Sequence, residues 1–97
     1  MPAYIILLSW TDQGARTIED SPKRLDAARK SLEDMGGSFT SVYMTMGAFD
    51  LVITCNAPDD AVAARFALLL GKQGYVRTTS LKAFPEEAYR QIIHSMR

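Results

Sequence analysis

The sequence predicts an α+β domain: four strands in one antiparallel sheet, two helices against one face, and a third helix after the last strand. Three observations predict it. Short apolar runs of strand length alternate with longer stretches whose apolar residues recur at helical spacing. Glycines close both long helical stretches, at Gly36-Gly37 and from Gly71 to Gly74. Gly47 separates two extended segments in the middle of the chain, where a hairpin needs a residue that takes positive φ freely.

Tyr4 to Trp10 reads as the first strand. Tyr4, Ile6, Leu8 and Trp10 share one face, and Ile5, Leu7 and Ser9 the other. A strand apolar on both sides needs cover on both sides. Thr11-Asp12-Gln13-Gly14 reads as a turn, and Ala15 to Asp20 as a polar, irregular connector. Ser21-Pro22 opens the first helix, with Ser21 as N-cap and proline pre-set for the first helical position. Leu25, Ala28, Leu32 and Met35 form its apolar stripe. Ser38 to Met46 is the second strand, with Thr40, Val42, Met44 and Met46 on one face and Phe39, Ser41, Tyr43 and Thr45 on the other. Asp50 to Asn56 is the third, with Leu51, Ile53 and Cys55 opposite Asp50, Val52 and Thr54. Ala57-Pro58-Asp59-Asp60 starts the second helix, its acids placed at the positive end of the dipole. Val62, Phe66, Leu69 and Leu70 supply its stripe. Tyr75 to Phe84 is the fourth strand. Pro85-Glu86-Glu87 opens a third helix with Tyr89, Ile92, Ile93 and Met96 on its apolar side.

The order β-α-β-β-α-β is the split βαβ, or ferredoxin-like, arrangement, here with an added C-terminal helix. Residues 1–97 read as one such domain. Its two helices leave one sheet face open, and that face carries aromatic, aliphatic and hydroxyl side chains. Four strands of about six residues give it roughly 350–400 Å². That matches the largest apolar patch usual on a monomer. Burying it is worth on the order of 10 kcal/mol per subunit before the costs of association. The expectation is a homodimer or higher homo-oligomer through this face. The competing expectation is a monomer whose third helix folds over it.

Charge is balanced, eleven basic against eleven acidic residues, with no basic run. Nucleic acid is not expected as a partner, because phosphate binding rests on net positive charge. No apolar stretch approaches the roughly 20 residues that span a bilayer, so no membrane partner is expected. The N-terminal segment lacks a basic region and a cleavage site, and reads as a strand rather than a secretory signal. The lone cysteine, Cys55, has no partner in the chain, which points to a reducing cytoplasm.

Met46-Gly47-Ala48-Phe49-Asp50-Leu51-Val52 resembles the Gly-x-Tyr-Asp signature of the GYD domain family. Ser21-Pro22-Lys23-Arg24, Ala57-Pro58-Asp59-Asp60 and Val76 to Phe84 resemble the family's two helix starts and its last strand, in the same order. Phe49 stands where the family's tyrosine usually is. The resemblance implies a ferredoxin-like unit of the dimeric α+β-barrel superfamily. It implies no reaction: that superfamily includes cofactor-free monooxygenases, haem-degrading enzymes, isomerases and ligand-binding regulatory domains.

Few residues offer chemistry. Asp50, beside the turn, is a weak candidate for a general base; its structural role would be to cap the hairpin or pair with Arg24. Arg24 lies in a first helical turn, where a cation is disfavoured, and so calls for a carboxylate or an anionic ligand. Trp10, Thr11, Tyr43 and Phe49 are candidate walls of a ligand cleft, or else core and interface. His94, the one histidine, sits far along the third helix without suitably spaced acids, so no metal site is expected. Cys55 reads as a small buried hydrophobe. No cofactor motif is present, since the glycine clusters end helices whereas phosphate loops start them. Two readings follow. One is a small oligomeric domain binding a small apolar or aromatic molecule between sheet and helices. The other is a cofactor-free monooxygenase- or isomerase-like enzyme with Asp50 as proton acceptor.

Overall fold

Strand β1, Ala3–Trp10, lies inside the sheet because it is apolar on both faces. A computed structural model describes residues 1–97. In it β1 pairs antiparallel with β3 (Leu51–Asn56) on one side and with β4 (Val76–Ala83) on the other. Strand β2, Ser38–Met44, extends β3 outward, giving the order β2-β3-β1-β4. Helices α2 (Ser21–Asp34) and α3 (Asp60–Gln73) cover one face. This is the ferredoxin-like topology that the order of elements predicts.

The core lies between those helices and the sheet. Tyr4, Ile6 and Leu8 of β1 and Ile53 and Cys55 of β3 point into it, meeting Leu32 of α2 and Phe66 and Leu70 of α3. Helix α3 starts on an Asp59 carboxylate that accepts from the Val62 amide at 2.9 Å. It ends on Gly74 in the left-handed conformation, φ 88°.

Three local readings need correction. The segment after β1 is not irregular: it forms a short helix, α1 (Asp12–Arg16), followed by a 3-10 turn over Ile18–Asp20. Thr11 caps α1 through its side chain, which accepts from the Gly14 amide. Ser21 is not an N-cap. The chain arrives already helical from the 3-10 turn, so Ser21 has helical φ and ψ and the flanking Asp20 makes no side-chain cap.

The third correction concerns β2. A bulge between Phe39 and Ser41 inserts Thr40 and shifts the register against β3. Phe39 therefore joins Val42 on the helix face, where its ring meets Phe66 edge-on with centroids 6.0 Å apart. Thr40 is the residue displaced, and its hydroxyl bonds Thr54 across the strands at 2.6 Å.

For the last helix, α4 (Glu86–His94), the competing expectation fails. The helix does not close over the open sheet face. None of its residues is buried, and Tyr89, Ile92 and Ile93 stay 56, 46 and 47 % exposed. The molecule is correspondingly long, 52 Å by 30 Å by 18 Å.

A polar contact at the core's rim ties three elements together. The Tyr4 hydroxyl of β1 donates to Asp60 at the start of α3, and Lys82 of β4 pairs with the same carboxylate at 2.9 Å. Hydrogen bonds from Tyr4 and Lys82 hold the Asp60 carboxyl below its ordinary range. The bond to Asp60, followed by burial, pushes the Tyr4 phenol up to about 12.

A depressed carboxyl contributes stability above its unfolded pKa, and loses it as pH falls through the folded value. A raised phenol contributes below about pH 10, and loses it as pH rises through the folded value. Tyr4→Phe removes the main cause of both shifts. Its urea midpoint is expected to fall less steeply than the parent's as pH drops from about 5 to about 2. Parallel curves for the two proteins would assign the acid sensitivity to other carboxylates.

Candidate functional site

The β1–β3 ladder ends at Leu8 opposite Leu51, because β3 there turns into the hairpin. Asp50 carries the pairing one step further. Its amide donates to the Leu8 carbonyl at 2.8 Å, and its carboxylate accepts from the Trp10 amide at 2.9 Å. The carboxylate thus stands in for the backbone carbonyl that the ladder lacks. Thr45 closes the loop from the other side, its amide on the Asp50 carbonyl at 2.8 Å and its hydroxyl on the Phe49 carbonyl at 2.6 Å. Gly47 takes φ 152° between them.

The end of β1 is held equally firmly against the start of β4. The Thr11 amide donates to the Tyr75 carbonyl at 3.0 Å, and its hydroxyl to the Gly74 carbonyl at 2.7 Å. Gly14 is buried against the same backbone. A Cβ there would fall 2.1 Å from the Tyr75 carbonyl oxygen, so α1 seats only with glycine at this position.

Arg24 does not pair with Asp50. Its guanidinium donates to the Thr17 and Gly14 carbonyls at 3.1 and 3.3 Å, at the C-terminal end of α1. A cation is favoured there, which resolves its awkward place in the first turn of α2. The same group lies over the Tyr75 ring, 4.4 Å from the centroid.

These ties frame a cleft between α2, α3 and the sheet. Trp10, Arg24, Leu25, Leu70, Tyr75 and Val76 are among its lining residues. The room for the centre of a water-sized sphere is about 40 Å³. That is space for a few waters or one short apolar group.

The structure brings Trp10 and Arg24 together in the cleft wall. Thr11 and Asp50 sit behind that wall and fix its backbone. Tyr43 lies elsewhere, exposed on the open sheet face, where it pairs across to Val52. Phe49 is half-buried in the hairpin. His94 is on α4, away from the cleft. Cys55 is buried in the core, and burial pushes its thiol up. Sequence reasoning missed Tyr75, which it placed only as the first residue of a strand. It also missed the Tyr4–Asp60 pair, whose members are separated by 56 positions. No local signal marks either.

The chain matches the GYD domain over residues 4–93, nearly its whole length. It belongs to the GYD domain family. A relative from Thermus thermophilus, named glutamine synthetase and cystathionine beta-lyase binding protein, is 37 % identical over 86 residues. The alignment covers 88 % of this chain and 90 % of the relative. No solved structure matches the chain. The GYD signature here is Gly47-Ala48-Phe49-Asp50. In it Gly47 makes the turn, Phe49 presents its carbonyl to Thr45, and Asp50 bridges to β1.

The GYD aspartate is therefore open to a direct test. Asp50→Ala leaves the part-buried Trp10 amide without its acceptor and is expected to cost about 1–3 kcal/mol. Asp50→Asn keeps an acceptor oxygen and should cost less than about 1 kcal/mol. Urea unfolding checks both. Equal losses would mean that the charge, not the hydrogen bond, is what β1 requires.

Proposed function

We propose that this GYD-domain chain is an oligomeric binding module that docks on a metabolic enzyme. The observation that carries the reading is its end-to-end similarity to a protein named for binding two enzymes, glutamine synthetase and cystathionine beta-lyase. Its surface supports the same reading. The accessible area is 6528 Å², against roughly 5500 Å² for an average folded monomer of this mass. The excess is about what one partner buries in a standard interface, roughly 800 Å².

Part of that surface is assigned to a homodimer through the open sheet face. Two rows cross it: Tyr43, Val52, Leu7 and Thr79, then Ser41, Thr54, Ile5 and Leu81. Neither row holds a charge, and Arg77, opposite Ser9, is the basic residue that borders them on the same face. The first row is aliphatic in the middle and hydroxyl-bearing at its ends; the second mixes Ser41 and Thr54 with Ile5 and Leu81, and such a mixed, mostly apolar face suits a two-fold interface. Val52→Glu or Tyr43→Glu places a carboxylate in it and is expected to convert a dimer to a monomer in sedimentation equilibrium. A mass unchanged by both substitutions would place the interface elsewhere.

The docking reading is tested with purified glutamine synthetase and cystathionine beta-lyase from the same organism. Co-elution of the chain with either on size exclusion is the expected result. Independent elution of all three at tens of micromolar would remove the reading.

The cleft supports a second reading, a small apolar or aromatic ligand held between Trp10, Leu25 and Leu70 under Arg24. Trp10 is the single tryptophan, so its emission reports occupancy. Hexanol or benzyl alcohol should shift that emission saturably if the cleft opens to admit them. A linear, solvent-like response would leave the cleft as packing. The enzyme alternative has less behind it, because the Asp50 carboxylate already serves the Trp10 amide and the one histidine lies outside the cleft.

A further inference from the structure

We infer that α4 is an intersubunit clasp whose Tyr89, Ile92, Ile93 and Met96 stripe is buried against a second copy of this chain. The inference rests on the sheet-face dimer proposed above and adds a second contact to it.

The first argument is that α4 lacks a partner that its own sequence requires. It is nine residues long, and a helix under about 12 residues is marginal in water unless an apolar face is packed. Its apolar residues Tyr89, Ile92 and Ile93 recur at i, i+3 and i+4, the spacing of a packed face, and Met96 follows at i+7 in the turn just beyond it. Within the chain that face meets nothing that buries it. One ion pair supports the polar side, Arg90 on Glu86 at 2.7 Å, and an exposed pair of this kind contributes little.

The second argument is area. The open sheet face covers roughly 350–400 Å², about half of what each partner gives to a stable interface. A nine-residue helix lays down a footprint of about 14 Å by 10 Å. In a two-fold dimer each subunit buries its own stripe and also the surface that receives its partner's, so the contribution doubles to roughly 280 Å². Sheet and clasp together approach the size a stable dimer needs; the sheet alone does not.

The third argument is continuity. Leu81 belongs to the open face beside Ile5, Phe84 is exposed just beyond it, and α4 begins two residues later. The apolar surface therefore passes from the sheet face along β4 into the helix without a charged break at Ala83 or Phe84. A second copy seated on the sheet face is already adjacent to the helix.

The test uses the full chain with Ile92→Lys and Ile93→Lys together, beside Val52→Glu. Neither isoleucine packs into the body, so the double variant should keep the parent's thermal midpoint when both are compared as monomers at high dilution. Sedimentation equilibrium is expected to show the dimer dissociation constant raised at least tenfold. Amide exchange across residues 86–94 in the parent should be slow when concentrated and fast on dilution. An unchanged dissociation constant in the double variant, with Val52→Glu dissociated, would overturn the clasp and leave the sheet dimer standing. A parent that is monomeric at every concentration would overturn both. A double variant that keeps the dimer but no longer co-elutes with glutamine synthetase would overturn the clasp and give α4 to the enzyme partner.

Discussion

The hydrogen bond from the Trp10 amide to the Asp50 carboxylate is the constraint on which the cleft end of this molecule depends. Strand β3 leaves the sheet at Leu51 to form the hairpin, and β1 runs two residues further. Without a substitute acceptor, those residues would have an unsatisfied edge. Asp50 supplies the acceptor from a side chain, and the end of β1 keeps its strand geometry. Everything beyond follows in sequence. Trp10 is aimed at the cleft, Thr11 reaches Gly74 and Tyr75, α1 seats Gly14 on the Tyr75 backbone, and the end of α1 receives Arg24. A carboxylate thus employed is structural first. This accounts for an aspartate in the family signature without assigning it a proton transfer.

Much of the fold was legible in the sequence, because alternation and helical spacing survive on one-sided elements. Leu25, Ala28, Leu32 and Met35 mark the inner face of α2, and Tyr4, Ile6 and Leu8 that of β1, as those spacings predict. Two of the misreadings turn on a partner distant in sequence or on a single inserted residue, and the Ser21 one on a 3-10 turn that runs straight into α2. Thr40 flips Phe39 to the helix side, and a period of two cannot reveal where it slips. The short helix α1 was hidden by Gly14, read as a turn glycine when its purpose is close approach to Tyr75. The Thr11-Asp12 pair was a usable N-cap signal for that helix. Arg24 is a cation in the first turn of its own helix, and its compensating partner is the end of another helix rather than a carboxylate.

The candidate site was legible in parts. Trp10 and Arg24 lie in one wall, and Thr11 and Asp50 support it. Tyr43 belongs to a different surface because it alternates with Val42: Val42 faces the helices, and Tyr43, opposite Val52, faces the open side. Composition favoured both settings equally, since an aromatic residue suits a ligand wall and an interface alike. Only the face that β2 turns toward the helices separates them.

What distinguishes this chain physically is the division of its apolar residues between two destinations. One set, gathered around Ile6, Ile53, Leu32 and Phe66, is wholly inside. The other set stays on the surface: Tyr43, Leu81, Phe84, Tyr89, Ile92 and Ile93. A core this small gives a modest stability, since a domain near 100 residues buries only about 60–65 % of its unfolded surface. The residues left outside are too large and too continuous to be the scattered exposure found on any monomer. The cleft, by contrast, is small, and hydrogen bonds fix the backbone of its walls. The proposal of a protein partner rests on that exposed second set rather than on the cleft. In this reading the ties around Asp50 and Thr11 serve chiefly to hold the sheet rigid, so that its open face meets a partner already shaped.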